Sequence, residues 1–215
     1  MSFIEINNNY NFGSESLHIF TLMIFIIWLT FLIYSLKIYG TKKTIRYFIP
    51  IFIAGTLGEL CAQASGSFDY PGYFMYFSAL GETFPVIIGL GWSVNLFLFL
   101  HMGKDVVARI YQKQNFKQLF YISICAGLFG VCLDFLEDPL AHHNGWWVWN
   151  QSVQRITIFE VPLTNYIGWF VIIGGMTFLT LLIDRSHFSE NRKLVINLSA
   201  PFIAFVLLGP YFLLR

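Results

Sequence analysis

Two carboxylates stand inside long apolar runs, where an acid is least expected: Glu59 in GTLGELCAQASG and Asp134 in GLFGVCLDFLEDPL. A carboxyl group facing lipid costs several kcal/mol, so such residues turn toward a bundle interior or a wet cavity. Two of them in one cavity can move protons, one as general acid and the other as base. The bland alternative is that each only hydrogen-bonds a neighbouring helix. Glu137, Asp138, His142 and His143 follow Asp134 closely, and adjacent histidines beside an acid are compatible with a metal ion. The other three histidines, His18, His101 and His187, are scattered, which excludes the His-rich di-iron sites of membrane desaturases and hydroxylases. Neither a metal nor any other cofactor is expected. The chain contains no GxSxG, P-loop, GxGxxG or HExxH motif, so a hydrolase triad and a bound nucleotide lack support.

Helical spacing turns both acids inward. Gly55, Gly58, Glu59, Ala62 and Gly66 share one face, and Gly127, Gly130 and Asp134 share another; small residues on such faces let helix backbones approach. Glu59 lies about six residues from the outer end of its apolar run and Asp134 about two. At ~1.5 Å per residue their depths differ by only ~6 Å. The expectation is one shared pocket near the outer leaflet.

The elements that must position these groups are membrane spans. Of the 215 residues, 56% are hydrophobic and 12% charged, against about 25% charged in a soluble domain, and the mean hydropathy is +0.63. Such a chain cannot coat a water-facing surface. With a net charge of +1 it also lacks the basic excess of a nucleic-acid binder. A soluble enzyme and a disordered regulator are excluded as well. The fold class is all-α, a polytopic membrane helix bundle of about six transmembrane helices, with residues 1–215 forming a single transmembrane domain in the cell membrane. The expected spans are Leu17–Leu36, Tyr47–Ser65, Phe84–Met102, Leu119–Leu136, Leu163–Ile183 and Leu194–Leu214, each near the ~20 residues a crossing needs. Pro50, Pro85, Pro162 and Pro201 read as N-terminal helix positions. No internal repeat is read from the chain, and no basic residue precedes Lys37, so no signal peptide is expected.

Eleven of the thirteen basic residues fall between the first and second, third and fourth, and fifth and sixth spans, against Arg155 and Arg215 on the other side. The positive-inside rule then places both termini on the non-cytoplasmic side. Cys61, Cys125 and Cys132 lie in apolar runs and read as buried free thiols.

Two connecting segments are too elaborate for mere linkers. SFDYPGYFMYFSALGETFPV (67–86) interleaves Tyr70, Tyr73 and Tyr76 with Phe and Gly, and Trp92 and Asn95 follow on the third span. Such a wall suits an elongated apolar ligand. The segment after Asp134 holds Trp146, Trp147, Trp149 and Trp169, four of the six tryptophans. An interfacial aromatic belt explains part of that density, but does not require the acids upstream.

GELCAQASGSFDYPGYFMYFSALGETFPVIIGLGW (Gly58–Trp92), DFLEDPLAHHNGWWVW (Asp134–Trp149) and FEVPLTNYIGWF (Phe159–Phe170) resemble the bacterial and archaeal carotenoid biosynthesis membrane proteins. That family includes carotenoid hydratases acting on γ-carotene or C50 carotenoid precursors. The resemblance covers residues 58–170. It implies a cofactor-free hydro-lyase that adds water to a terminal alkene of an acyclic carotenoid or related isoprenoid lipid by acid catalysis. The difficult step is protonation of carbon to a tertiary cation, which aromatic faces can stabilise. Carried onto this chain, it implies Glu59 as acid, Asp134 as the water-activating base and Asp138 as the reserve. Tyr73, Tyr76, Trp92, Asn95, Trp147, Trp149, Asn165 and Trp169 become the substrate-binding set. The implied partners are a lipophilic isoprenoid substrate, membrane lipids and other carotenoid pathway enzymes, with no nucleic acid. The chain departs from the pattern at Glu160, where the family carries Gly before the Val-Pro step, and in its Trp146–Trp147 and His142–His143 doublets. A related acid-catalysed cyclase or isomerase would share Glu59 but exclude water. A non-enzymatic lipid-binding or transport protein would need a polar path across the bilayer.

Overall fold

The computed structural model describes residues 4–6, 15–70, 73, 75–79, 82–150 and 156–213, without side chains at 4–6, 76–79, 82–83, 204–205 and 207–213. The described chain is mostly helical, in the order β1 (Ile4–Ile6), α1 (Glu15–Ala64), β2 (Phe68–Asp69), β3 (Met75–Ala79), β4 (Glu82–Pro85), α2 (Val86–Ile110), α3 (Phe116–His143), β5 (Val148–Trp149), β6 (Thr157–Ile158), β7 (Val161–Pro162), α4 (Leu163–Arg185) and α5 (Glu190–Leu213). Helices α1 to α4 are long and apolar enough to cross a membrane.

The 50 residues of α1 would reach about 75 Å if straight, more than twice the ~30 Å of a hydrocarbon core. They do not run straight. Gly40 breaks the helix with φ 72° and ψ 172°, a left-handed conformation that only glycine adopts cheaply. Beyond it the chain returns on itself: the Ser35 and Thr44 hydroxyls meet at 2.9 Å, and Ile24 and Glu59 line one cavity. The first two expected spans thus fall on arms 15–39 and 41–64 of one broken helix, and the sixth falls on α5, which packs against α1 but is not among the described helices long and apolar enough to cross.

Several local expectations need correction. Helix α3 runs to His143, seven residues past its expected end at Leu136, so Glu137, Asp138 and His142 are helical rather than loop residues. Pro139 sits within α3 and Pro50 within α1, and Pro201 lies inside α5 rather than at its start; in a bundle, neighbouring groups can satisfy the backbone a proline frees. Gly66 does not share the Glu59 helix face. It has φ 73° beyond the end of α1. Cys61 is buried, but Cys125 is only partly so and Cys132 is exposed on the outside of α3. The all-α expectation lacked the short strands, which form sheets β1-β3-β4, β2-β5 and β6-β7.

The chain also contains the repeat that its sequence hid. Helices α1 and α3 end alike, with Gly66 and Gly145 in the left-handed region. In each, the N–H two residues after the cap bonds back across the last turn, Ser67 to Ala62 and Trp146 to Ala141, which is a Schellman motif. Helices α2 and α4 begin alike, each on a proline N-cap, Pro85 (φ −64°, ψ 126°) and Pro162 (φ −61°, ψ 136°). Glu59 stands seven residues before Gly66, as Asp138 does before Gly145, and Gly-Trp stands six and seven residues after each proline, at Gly91-Trp92 and Gly168-Trp169. Counterpart positions meet in space: Asp69 pairs with Val148 where β2 meets β5, and the Trp92 and Trp169 rings lie 4.3 Å apart. Contact between equivalent residues is the pattern of an approximate two-fold axis. Because α3 runs in the same direction as arm 41–64, that axis lies along the helices, as between parallel repeats.

The two ends differ in chemistry. At one, Arg46 pairs with Asp184 at 2.8 Å and Glu190 at 3.1 Å, Lys42 donates to Asn191, and Arg185 donates to Asn115 and Gln118. The three basic segments therefore gather together. At the other, Trp146 stacks on Phe20 at 4.4 Å and donates to Ser16, beside the β2-β5 pair.

Candidate active site

Between these aromatics and the helix bodies lies a cavity lined by Ile24, Glu59, Phe68, Tyr70, Ile88, Gly91, Trp92, Asn95, Glu137, Asp138, Trp147, Trp149, Asn165 and Trp169. Its free space is about 30 Å³, room for about two water molecules. Both repeat units contribute an acid to it.

Glu59 comes from arm 41–64, whose backbone approaches α2 closely at Gly55. A Cβ there would fall 2.7 Å from Trp92 Cδ1, so glycine is what lets the indole lie against α1. From that position Trp92 Nε1 donates to Glu59 Oε1 at 3.1 Å. The Tyr70 hydroxyl donates to Oε2 at 3.1 Å. Burial, with the Glu59 carboxyl beside it, pushes the Tyr70 phenol well above its ordinary range, so it keeps its proton and remains a donor. Glu59 is half-buried, and the cavity is what it faces.

The acids from α3 are layered. Asp134 and Asp138 are four residues apart and so share a helix face. Asn165 Nδ2 on α4 lies 3.0 Å from each oxygen of Asp134 and 2.6 Å from Asp138 Oδ2. One amide thus bridges both carboxyls. Asp138, Glu137 and Asn165 line the cavity, but Asp134, wholly buried, does not. The shared pocket expected for Glu59 and Asp134 is therefore one between Glu59 and Asp138, with Asp134 a turn behind.

Of the expected substrate-binding residues, Trp92, Asn95, Trp147, Trp149, Asn165 and Trp169 all line the cavity. Tyr73 is buried next to it, edge-on to Tyr70 at 5.7 Å. Tyr76 lies on β3, with its side chain outside those described. Phe68 and Glu137 are site residues that the sequence reading lacks, and Tyr70, expected in the aromatic wall, is also a hydrogen-bond donor to the acid. Tyr70 follows a turn whose geometry the sequence does not disclose, and Glu137 was placed in a loop. The indole N–H of Trp149, also a lining residue, is buried without an acceptor among the described residues.

His142 and His143 stand on the last turn of α3. His142 Nδ1 accepts from the Trp149 backbone N–H at 3.2 Å, and its Nε2 lies 3.7 Å from Glu160, which ties it to the loops above the cavity. Among the described residues no cluster of three or more His, Cys, Asp or Glu is disposed to hold a metal. The departure at Glu160 has a structural meaning. Phe159 and Glu160 form a two-residue hairpin turn between β6 and β7 with φ 52° and 66°, a type I′ geometry that favours glycine.

The model of a protein family described as carotenoid biosynthesis protein matches residues 18–213, most of the chain. No curated protein matches the chain, and no solved structure does.

Proposed function

The chain belongs to the carotenoid biosynthesis protein family, and from that membership and the paired acids we propose that it is a cofactor-free hydratase of an isoprenoid lipid. The observation that carries the reading is Glu59 and Asp138, from two repeat units, on one cavity walled by tryptophans. Glu59 protonates the terminal alkene of an acyclic carotenoid or related chain. The proton goes to the less substituted carbon and leaves a tertiary cation. The rings of Trp92, Trp147, Trp149 and Trp169 face the charge, which their quadrupoles attract. Water then adds to the cation, and Asp138, held by Asn165, accepts the proton released. The product is a tertiary alcohol, and proton return from Asp138 to Glu59 across the cavity resets the site. The Trp149 indole N–H supplies a donor for the water oxygen.

The free space holds water but not an isoprenoid end, so the lining side chains must part for substrate to enter. Residues 1–215 act as a single multi-pass domain of the cell membrane with six crossings, the arms of α1 counting as two. The basic end faces the cytoplasm and both termini the opposite side, as the positive-inside rule directs. A lipophilic isoprenoid, membrane lipids and other carotenoid pathway enzymes are its partners.

The test is expression of the chain and of Glu59→Gln in a lycopene-producing strain, with pigments analysed by mass. Hydration adds one water. The variant keeps the carboxyl's shape but loses its acidic proton, and product should fall ~10²-fold or more, the scale of a general acid. Unchanged hydration at equal folded protein would remove Glu59 as the acid. A product of unchanged mass from the parent chain would favour a cyclase or isomerase using the same acid.

A further inference from the structure

At the end opposite the carboxylate cavity, the segment after the Gly40 break and the start of α5 enclose an open depression of about 540 Å³. Its charged lining is Lys42, Lys43, Arg46 and Lys193 against Asp184 and Glu190, a surplus of two positive charges. The surplus is not neutralised locally. Lys42 engages only a neutral amide oxygen, that of Asn191, at 2.7 Å. Lys43 has no carboxylate partner among the described residues; its ammonium lies over the rings of Tyr39 at 5.2 Å and Tyr47 at 5.7 Å. Lys193 is the exception, since it meets Glu190 at 3.2 Å.

Arg46 adds an independent observation. It is 2% exposed, and both terminal nitrogens lie against acids, Nη1 near Asp184 and Nη2 near Glu190. Its Nε nevertheless has no acceptor among the described residues. A buried guanidinium donor without an acceptor is costly, and here it belongs to a residue that lines an open, cationic depression. The acids hold the guanidinium in place and leave its Nε without an acceptor among the described residues. What satisfies an orphan N–H and a cationic surplus together is an oxyanion. Arg and Lys side by side suit the tetrahedral oxygens of phosphate, the first by directed donors and the second as point charges.

We propose that this depression binds a phosphate-bearing anion, with Arg46 Nε, Lys42, Lys43 and Lys193 as its ligands. The group would come either from the headgroup of an anionic phospholipid, since the depression lies at the basic end of the apolar helices, or from a soluble phosphate or diphosphate. The proposal does not depend on the chemistry at Glu59.

The full chain, purified in non-ionic detergent, tests it by native mass spectrometry and by thermal unfolding. The probes are phosphatidylglycerol, with phosphatidylcholine as the zwitterionic control, and inorganic phosphate and diphosphate, with chloride as control. A headgroup site retains phosphatidylglycerol over phosphatidylcholine and ignores the soluble anions. A soluble-anion site is stabilised by phosphate or diphosphate and shows no lipid preference. In either case Lys42→Gln/Lys43→Gln/Lys193→Gln should bind about tenfold more weakly or worse, and added salt should weaken binding to the parent chain. Should the triple variant fail to fold, Lys43→Gln, whose ammonium meets only ring faces, makes the same comparison. No preference for any phosphate-bearing probe over its control overturns the proposal, as does equal binding by the folded variant.

Discussion

Asp134 and Asp138 are a helical turn apart and share one amide donor, yet only Asp138 reaches the cavity. Their substitutions should therefore separate. On the proposed mechanism Asp138→Asn removes the group that takes the proton from water, so hydration should fall ~10²-fold, and the cation should lose a proton instead to give an isomerised alkene of unchanged mass. Asp134→Asn alters only what holds Asn165, and should slow hydration several-fold without that product. Mass and chromatographic profiles of the extracted pigments distinguish the two, and equal loss in both would mean that the pair acts as a unit. Glu160 offers a stability test. It sits at φ 66° and is 76% exposed, with the His142 ring nitrogen 3.7 Å away. A left-handed non-glycine residue costs roughly 1–2 kcal/mol, whereas an exposed ion pair contributes little. Glu160→Gly should thus stabilise the folded protein by about 1 kcal/mol, read as a higher unfolding temperature; a decrease would mean that the His142 contact outweighs the strain. At this scale Glu59 was legible, because an acid in an apolar run has few excuses. Asp138 was less so, because the apolar run ends at Leu136 and leaves the acid in a supposed loop.

Elements were legible where hydropathy alone decides, and illegible where a backbone dihedral does. The apolar runs behind α2, α3 and α4 could be read directly, whereas the continuity of α1 could not. A helix that bends back at one glycine carries the same residues as two helices with a polar loop, and nothing in Lys37–Arg46 marks which occurs. The extension of α3 through Pro139 was hidden for a similar reason: a proline's cost depends on what its neighbours satisfy, which is tertiary information. The repeat escaped because it is kept in its punctuation rather than its side chains. Its shared features are an acid seven residues before a left-handed glycine, and a proline cap before Gly-Trp, while the intervening residues differ freely. Close approach between elements gives a further test. Gly55 faces the Trp92 ring, and an added Cβ would lie 2.7 Å from its Cδ1. Gly55→Ala should cost about 1–3 kcal/mol through overpacking, and should also push the indole off Glu59. The expected result is a lower unfolding temperature together with a loss of hydration larger than the lost stability explains. Retention of full activity would show that the Trp92 hydrogen bond does not position Glu59.

For the whole molecule, the two-fold relation between units explains why the acids meet. Parallel units related by an axis along the helices place equivalent positions at equal depth, so Glu59 and Asp138 are brought to one level without any long-range design of the loops. The same relation puts Trp92 against Trp169 and Asp69 against Val148 near the axis. It also fixes which ends go together: both units start at the basic end and turn at the aromatic end. Orientation in the membrane then follows from a single fact about either end. Cytoplasmic loops carry the excess of Lys and Arg, and the contacts of Arg46 with Asp184 and of Arg185 with Asn115 show the three basic segments at one pole. Lys113 between α2 and α3 and Asn150 after β5 are exposed on the two opposite poles. In a chain with Cys61, Cys125 and Cys132 replaced by Ser, Lys113→Cys should resist an impermeant maleimide in sealed spheroplasts and react after lysis. Asn150→Cys should react before lysis. The reverse pattern would turn the molecule over and place the carboxylate cavity near the cytoplasmic leaflet; reaction of both before lysis would mean that these poles do not lie on opposite sides of a membrane, and the six-crossing topology would fall with it.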